Sequence, residues 1–147
     1  MLLAELFAMV EIDAPAERVW QILTDFRRYP EWNPFMPRVA GEAARRAELE
    51  VLVRPDGAKA LRLKPRSVTF RPPREMRWRW LARLPGLFVG EQRFVVEALG
   101  ATRSRLIHEK RFRGLAVPFL RRLLNGPVKR SFEATGLALK QFAERKS

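Results

Sequence analysis

The sequence predicts an α+β fold in which an antiparallel sheet packs against a long C-terminal helix. Three observations predict it. Apolar and polar residues alternate over most of residues 36–113, which is typical of strands. Short turns marked by proline and glycine separate these segments, which favours antiparallel hairpins. Apolar residues then repeat every three or four positions to about residue 145, as in an amphipathic helix that covers a sheet.

The N-terminal part of the chain predicts one strand followed by a short helical pair. Alternation predicts the strand over residues 3–12. Asp13 or Ala14 is expected to cap the next helix, with Pro15 in its first turn. The segment 29–34 contains two prolines, so it ends this helix and leaves room for a short second helix or turn. The apolar stripe of the first helix consists of Val19, Trp20, Ile22, Leu23 and Phe26.

Six further strands and one helix complete the predicted fold. The helix begins at Pro118 and ends near residue 145. Because proline removes a backbone donor and clashes with the preceding turn, a kink or break is expected at Asn125-Gly126-Pro127. We take residues 1–147 as a single domain. The predicted strands span residues 36–42, 47–54, 60–71, 75–84, 88–98 and 103–113.

The composition excludes several classes of site. The chain has no cysteine, which excludes disulfides, zinc–thiolate sites, iron–sulfur clusters and a cysteine nucleophile. It has one histidine, which excludes multi-histidine metal sites, and we expect neither a metal nor a cofactor. A reducing cytosol is the easier fit, so a cytoplasmic location is expected, with the inner membrane face as an alternative. The apolar start lacks a basic region and does not read as a signal peptide.

The charge of the chain is high and unevenly distributed. The formal net charge is +13, and residues 61–147 carry 21 basic but only 6 acidic side chains. Such asymmetry is found in proteins that bind nucleic acid or anionic membranes, and also in proteins with a solvated basic surface. On the outward faces of the predicted strands lie Arg62, Lys64, Arg66, Arg77, Arg79, Arg93, Arg105 and Arg111. Aromatic residues are almost absent from these positions, so nucleic acid is not expected and an anionic membrane fits better.

Three sequence motifs occur in the order that these elements predict. They are Ala14-Pro15-Ala16-Glu17-Arg18-Val19-Trp20 followed by Asp25-Phe26 and Tyr29-Pro30-Glu31-Trp32-Asn33-Pro34; Leu84-Pro85-Gly86-Leu87-Phe88 with Gly90-Glu91 and Phe94; and His108-Glu109, Phe112 and Gly114-Leu115. With these motifs the chain resembles the helix-grip fold of START-like and birch-pollen-allergen-like proteins over nearly its whole length. More narrowly, it resembles the bacterial polyketide cyclase/dehydrase and lipid-transport branch.

The resemblance implies a seven-stranded sheet that grips the C-terminal helix, with a cavity between them. It implies no particular reaction, because this superfamily includes binders, transfer proteins, cyclases and co-chaperones. Strand alternation and helix spacing then select the inward positions. The candidate ligand-binding residues are Leu49, Val51, Val53, Leu61, Leu63, Met76, Trp78, Trp80, Gln92, Phe94, Val96, Leu106, His108, Lys110, Leu120, Leu124, Val128 and Phe132. Met76, Trp78 and Trp80 are read either as an aromatic wall for a ligand or as plain core.

Polar residues within the apolar pattern are the candidates for chemistry. His108 titrates near neutrality and is the one candidate for a general acid or base. The alternative is a buried histidine with a satisfied hydrogen bond, for example to Glu91 or Glu109. Alternation places Gln92 and Lys110 on the inward face, where they would orient a ligand or lie at the rim.

Two apolar loop segments are candidates for a gate. Leu87 and Phe88 lie at a predicted hairpin tip, where polar residues are usual. Trp32 and Phe35 belong to a second loop, which would form the opposite rim. The alternative is that both segments pack onto the long helix.

Three functional hypotheses follow. The first is a protein that sequesters or carries a hydrophobic small molecule, lipid-like or aromatic, in an internal cavity. The second is a polyketide cyclase or dehydratase in which His108 moves protons. The third is a peripheral module that binds an anionic membrane or a partner through the basic sheet and the Leu87-Phe88 tip.

Overall fold

The computed structural model describes residues 3–81 and 86–145. The chain begins with strand β1 and a short helical pair, continues through seven strands, and ends in a long helical segment. The elements are β1 (Leu3–Ile12), α1 (Ala16–Thr24), a 3₁₀ helix (Phe26–Glu31), β2 (Arg38–Ala40), β3 (Glu50–Val53), β4 (Leu61–Leu63), β5 (Arg66–Arg71), β6 (Glu75–Leu81), β7 (Val89–Ala98), β8 (Ser104–Arg113), a 3₁₀ helix (Val117–Leu120), α2 (Arg121–Leu123), a π turn (Leu124–Val128) and α3 (Lys129–Glu144).

The strands form two antiparallel sheets that adjoin at one edge. The larger sheet has the order β1-β8-β7-β6-β5 and the smaller one β2-β3-β4. Backbone hydrogen bonds join them: the Arg46 N–H donates to the Ser67 carbonyl at 2.8 Å and the Leu49 N–H to the Pro65 carbonyl at 2.9 Å. With α3 packed against the sheet, this is the α+β helix-grip architecture that the sequence predicts.

The predicted strand over residues 60–71 is wrong as a single strand, and the described residues contain eight strands rather than seven. Proline has no N–H and is excluded from the interior of a strand. At Pro65 the chain stops pairing with β3 and, one residue later, starts pairing with β6. The break therefore separates β4 from β5 and creates the second sheet. The end of the predicted strand 75–84 lies outside the described residues.

The start of α1 also differs from the expectation. Pro15 is itself the capping residue, with extended backbone angles of −62° and 149°, and neither Asp13 nor Ala14 caps the helix. The Pro15 carbonyl accepts the N–H groups of Arg18 and Val19 at 3.1 and 3.2 Å. Proline is suited to this position because no N–H is needed there.

The C-terminal helical segment is continuous, and its irregularity lies where the sequence predicts it. The π turn Leu124–Val128 contains Pro127, which has no N–H to donate to the preceding turn. Wider hydrogen bonding accommodates the proline there. The predicted break is therefore a local π turn between α2 and α3.

Two hydrophobic clusters form the interior. The larger cluster joins α1, the adjacent 3₁₀ helix, the sheet and α3, and it includes Trp78 of β6 and Leu139 of α3. The smaller one consists of Phe112, Val117 and Leu124, with Trp80 and Phe88 among the side chains packed against it. A space between the two clusters is not filled by side chains, and this space forms the candidate site.

Candidate functional site

A cavity of about 470 Å³ lies between the small sheet, the adjoining half of the large sheet and the C-terminal helical segment. This volume is within the range of small-molecule sites in proteins. Every described lining residue except Lys110 is aliphatic or aromatic. The lining consists of Met36, Val51, Val53, Pro55, Leu61, Leu63, Pro65, Trp78, Trp80, Leu81, Phe88, Lys110, Phe112, Leu120, Leu123, Leu124 and Val128.

Strand alternation places many of the predicted residues around this cavity. On β3, Val51 and Val53 face inward while Leu52 between them lines the opposite, outer side. Trp78 and Trp80 do not fill the space, because it remains with both indoles along its wall. The predicted ligand-binding residues found in the lining are Val51, Val53, Leu61, Leu63, Trp78, Trp80, Lys110, Leu120, Leu124 and Val128.

A second, much smaller pocket of about 20 Å³ adjoins the large cavity. The two share Lys110 and Val53 among their lining residues. The predicted residues Gln92 and Phe94 line this pocket. Its other lining residues are Asn33, Phe35, Met36, Pro55, Val128, Ser131 and Thr135. It has room for about one small polar group or water, since a water needs at least about 10–15 Å³ of such volume.

The remaining predicted residues line neither space. Leu49, Met76, Val96 and Leu106 are all 3% exposed or less and belong to the larger core cluster. Alternation identifies their inward face correctly, but it does not separate a core position from a cavity position on the same strand. For these four side chains, the structure supports the core interpretation.

His108 is enclosed between two aromatic rings, away from the large cavity. Its imidazole stacks on Phe94 and on Phe132, with both centroid distances at 4.2 Å. Burial, followed by the charge of Lys110, holds the pKa of His108 well below its ordinary value. The ring is therefore neutral, and its Nε2 lies 3.5 Å from Oε1 of Gln92. The predicted partner, Glu91 or Glu109, is wrong because both side chains lie on the outer sheet face.

The four predicted gate residues do not lie around one opening. Phe88 lines the large cavity and stacks on Phe112 at 5.8 Å, and Phe35 lines the small pocket. The Leu87 carbonyl accepts the Ala116 N–H at 2.9 Å, which holds this segment against the turn after β8. Trp32 lines a separate surface depression beside α1, whose lining mixes charged and apolar side chains. Residues 84 and 85 of the predicted tip lie outside the described residues.

The structure adds lining residues that were not among the sequence candidates. Pro55 and Pro65 lie in turns, where alternation makes no prediction. Phe112 shares the inward register of His108 and Lys110 on β8, and alternation does predict it to face inward, although it is not among the candidate ligand-binding residues. The added residues are Met36, Pro55, Pro65, Leu81, Phe112 and Leu123 in the large cavity, with Asn33, Ser131 and Thr135 in the small pocket.

Gly90 allows Trp80 to lie against the neighbouring strand. The two residues are register partners on β7 and β6, and a Cβ at Gly90 would overlap the Trp80 indole. A glycine inside a strand often marks such a close approach. The position of Trp80 in the cavity wall therefore depends on the absence of a side chain at Gly90 on the adjacent strand.

Replacing Gly90 with alanine should displace the Trp80 indole and destabilise the protein by about 1–3 kcal/mol. Urea denaturation and tryptophan emission measure the two effects. The matched control is Gly136→Ala on α3, where an added Cβ meets no atom within 4 Å. That change should stabilise by up to about 1 kcal/mol, because alanine is the better helix former. Wild-type stability in Gly90→Ala would contradict the close packing.

The outer face of the large sheet is an array of paired charges rather than a uniformly cationic surface. Arg93 bonds to Glu75 at 2.8 Å and to Glu109 at 3.3 Å, and Arg79 lies 3.2 Å from Glu91. Arg77, Arg105 and Arg111 are paired in the same way. The carboxylates thus neutralise much of the basic face that the sequence predicts.

Two kinds of feature are absent from the described residues. No helix there is long and apolar enough to cross a membrane. Nor do the residues that the structure describes hold three or more histidine, cysteine, aspartate or glutamate side chains grouped to bind a metal.

Comparison with known proteins places the chain in a family. Residues 5–144 match the family described as polyketide cyclase / dehydrase and lipid transport. The chain belongs to this family. No curated protein sequence matches the chain significantly.

Solved structures with the same fold include enzymes and a START protein. The Zhui aromatase/cyclase from Streptomyces sp. R1128 superposes with a TM-score of 0.80 at 22% identity, over 97% of this chain and 94% of that chain. A START superfamily protein from Mycobacterium smegmatis gives 0.72 at 23%, over 95% and 97%. Norcoclaurine synthase from Thalictrum flavum gives 0.72 at 11%, over 97% and 94%. At these identities the likeness establishes the fold of the polyketide cyclase/dehydrase and lipid-transport family.

Proposed function

We propose that this protein binds a hydrophobic small molecule, lipid-like or aromatic, in the 470 Å³ cavity, and sequesters or carries it. The observation that supports this function is the lining, which is apolar at every described position but one. The side chains around an empty apolar cavity lack van der Waals contacts on their inner side, and a ligand that fills the cavity supplies those contacts. Affinity comes chiefly from the apolar area that the ligand buries, after the cost of association.

The cyclase alternative has less support in this cavity. The acid–base candidate from the sequence, His108, is stacked between Phe94 and Phe132 and lines neither space. A general base must reach the proton that it removes, either directly or through one water. The membrane alternative also loses support, because the predicted outward arginines on the large sheet are paired with carboxylates.

Native mass spectrometry of gently purified protein, with solvent extraction, tests the proposal directly. We expect a co-purified lipid-like or aromatic molecule, or binding of long-chain alcohols and naphthalene derivatives that changes tryptophan emission from Trp78 and Trp80. Absence of any bound molecule and of any response to that panel would contradict the proposal.

Filling the cavity should abolish binding without unfolding the protein. Val53→Trp places an indole into the space that Val53 now lines, and we expect at least about a tenfold loss of affinity for any ligand that occupies it. The matched control is Leu52→Trp, one residue away on the outer side of β3. Calorimetric titrations should show the loss of affinity in Val53→Trp and not in Leu52→Trp. Equal weakening by both would indicate a general disturbance of the small sheet rather than a site in the cavity.

A further inference from the structure

Lys110 is the one ionisable side chain among the described residues that line the large cavity, and it also lines the small pocket. It lies on β8, where its register partners are Leu6 on β1 and Gln92 on β7. No carboxylate is among the described lining residues of either space. A cation thus stands at the junction of an apolar chamber and a small polar one.

The ammonium group of Lys110 has no counter-ion in the described part of the protein. None of the ion pairs or side-chain hydrogen bonds formed there includes it. The nearest carboxylate in sequence, Glu109, lies on the outer sheet face and pairs with Arg93 at 3.3 Å. Strand alternation sends the acidic side chains of this sheet outward, so none of them can turn inward to meet Lys110.

A second unpartnered donor lies beside it. Gln92 is only 2% exposed, and its Nε2 amide has no hydrogen-bond partner among the described residues. Its Oε1 faces Nε2 of His108, so the neutral imidazole is the donor in that contact and the amide NH₂ of Gln92 is left free. A buried donor without a partner is costly and indicates a missing acceptor.

The residues that face Lys110 around the small pocket carry no other charge. Besides His108, which is neutral, the residues around the small pocket are uncharged: Asn33, Gln92, Ser131 and Thr135. The Ser131 hydroxyl already donates to the Pro127 carbonyl at 2.8 Å, and that of Thr135 to the Ser131 carbonyl at 2.7 Å. In the wall of the large cavity, the Trp78 indole N–H has no partner among the described residues. Around the small pocket, the donors that remain are the Lys110 ammonium, the Gln92 amide and the Nδ2 amide of Asn33, whose Oδ1 accepts the N–H groups of Phe35 and Met36. Together they are a site for one oxyanion.

We infer that the ligand is an amphiphilic acid whose apolar body fills the 470 Å³ cavity and whose single oxyanion, a carboxylate or an ionised phenol, is bound by Lys110 and Gln92. This inference rests on the proposed function and specifies the ligand class for the same cavity. Charge-assisted hydrogen bonds are stronger than those between neutral groups, so they orient the ligand with its polar end towards β7 and β8.

Matched probes test this assignment: dodecanoate against dodecanol, and 2-naphthoate against 2-naphthalenemethanol, titrated by calorimetry at pH 7. We expect wild-type protein to prefer each acid over its alcohol by at least about tenfold. Lys110→Met should remove this preference while still binding the alcohols. The control Lys64→Met removes an exposed lysine outside both spaces and should keep it.

The outcomes distinguish the two proposals. If the alcohols bind wild-type protein as tightly as the acids, or if Lys110→Met keeps the preference, the oxyanion site is overturned and the hydrophobic cavity stands. If none of the four probes binds, both proposals fail. Lys110→Arg keeps the charge and should retain the preference for the acids at least in part. A Lys110→Arg protein that still binds the alcohols but has lost the preference would overturn the role of the charge.

Discussion

Lys110→Met should raise the free energy of unfolding at pH 7 by roughly 2–3 kcal/mol. Burial lowers the pKa of Lys110 from its ordinary 10.5 to about 8, because the charged ammonium loses its hydration inside the protein. Each unit of such a shift costs the charged form about 1.4 kcal/mol, and solvent reduces this cost in part because Lys110 is half-buried. Methionine has a similar length and carries no charge. We therefore expect a midpoint of thermal unfolding higher by roughly 5–10 °C.

The pH dependence identifies the cause. The pKa of Lys110 is lower in the folded than in the unfolded state, so between about pH 8 and 10.5 the unfolded state binds more protons. Wild-type stability should rise relative to Lys110→Met through this window, and the advantage of the variant should be lost near pH 10.5. Urea denaturation at several pH values measures it, with Lys64→Met as the exposed control. A Lys110→Met protein that is no more stable than wild type would show that the fold itself stabilises the ammonium.

This cost strengthens the functional argument for Lys110. A residue that lowers stability and has no partner in its own fold is typical of a binding site, where the missing partner is supplied by the ligand. Alternation on β8 was enough to place Lys110 inward from the sequence. The sequence could not show that Lys110 lacks a counter-ion, because this depends on which side chains the other elements bring to the same cavity.

The sequence pattern also could not separate the candidates that line the cavity from those that fill the core, because it does not show how the elements meet in space. Leu49 and Val51 share one face of the same stretch of chain and both belong to the larger core cluster, yet only Val51 also lines the cavity. Leu49 lies where the two sheets adjoin, with its N–H bonded to the Pro65 carbonyl, whereas Val51 pairs with Val39 and Leu63 inside the small sheet, beyond the point where the sheets separate. A two-residue period carries no information on that separation.

A count of basic residues could not predict the ion pairs between arginines and carboxylates on the outer face of the sheet. Arg77 and Arg93 are direct register partners, an arrangement that is destabilising when isolated. Glu75 lies within 4 Å of both guanidinium groups and offsets their repulsion. The sequence places all three residues outward. Only the register between β6 and β7 makes them neighbours, and register depends on turns and bulges that alternation does not specify.

Phe132→Ala should destabilise the protein by about 3–5 kcal/mol, as expected for a fully buried aromatic side chain. Phe132 is 2% exposed and links α3 to the sheet through its contact with His108 at 4.2 Å. The control is Phe142→Ala on the same helix, which removes a half-buried ring that packs near Arg28 and should cost less. Urea denaturation gives both values. A loss below about 1 kcal/mol in Phe132→Ala would show that the ring stack contributes little.

The same substitution should change the titration of His108. Because the chain has one histidine, its imidazole proton resonance in NMR is assigned without ambiguity. In wild-type protein this resonance should not titrate near pH 6.5, since burial holds the pKa of His108 well below that value. The unfolded state then binds the extra proton, so wild-type stability should fall as the pH drops below about 6.5. Removing the Phe132 ring admits water to the imidazole, which should raise its pKa towards 6.5 and flatten that loss. An unchanged titration in Phe132→Ala would place the cause of the low pKa in the charge of Lys110 instead, and Lys110→Met would then restore it.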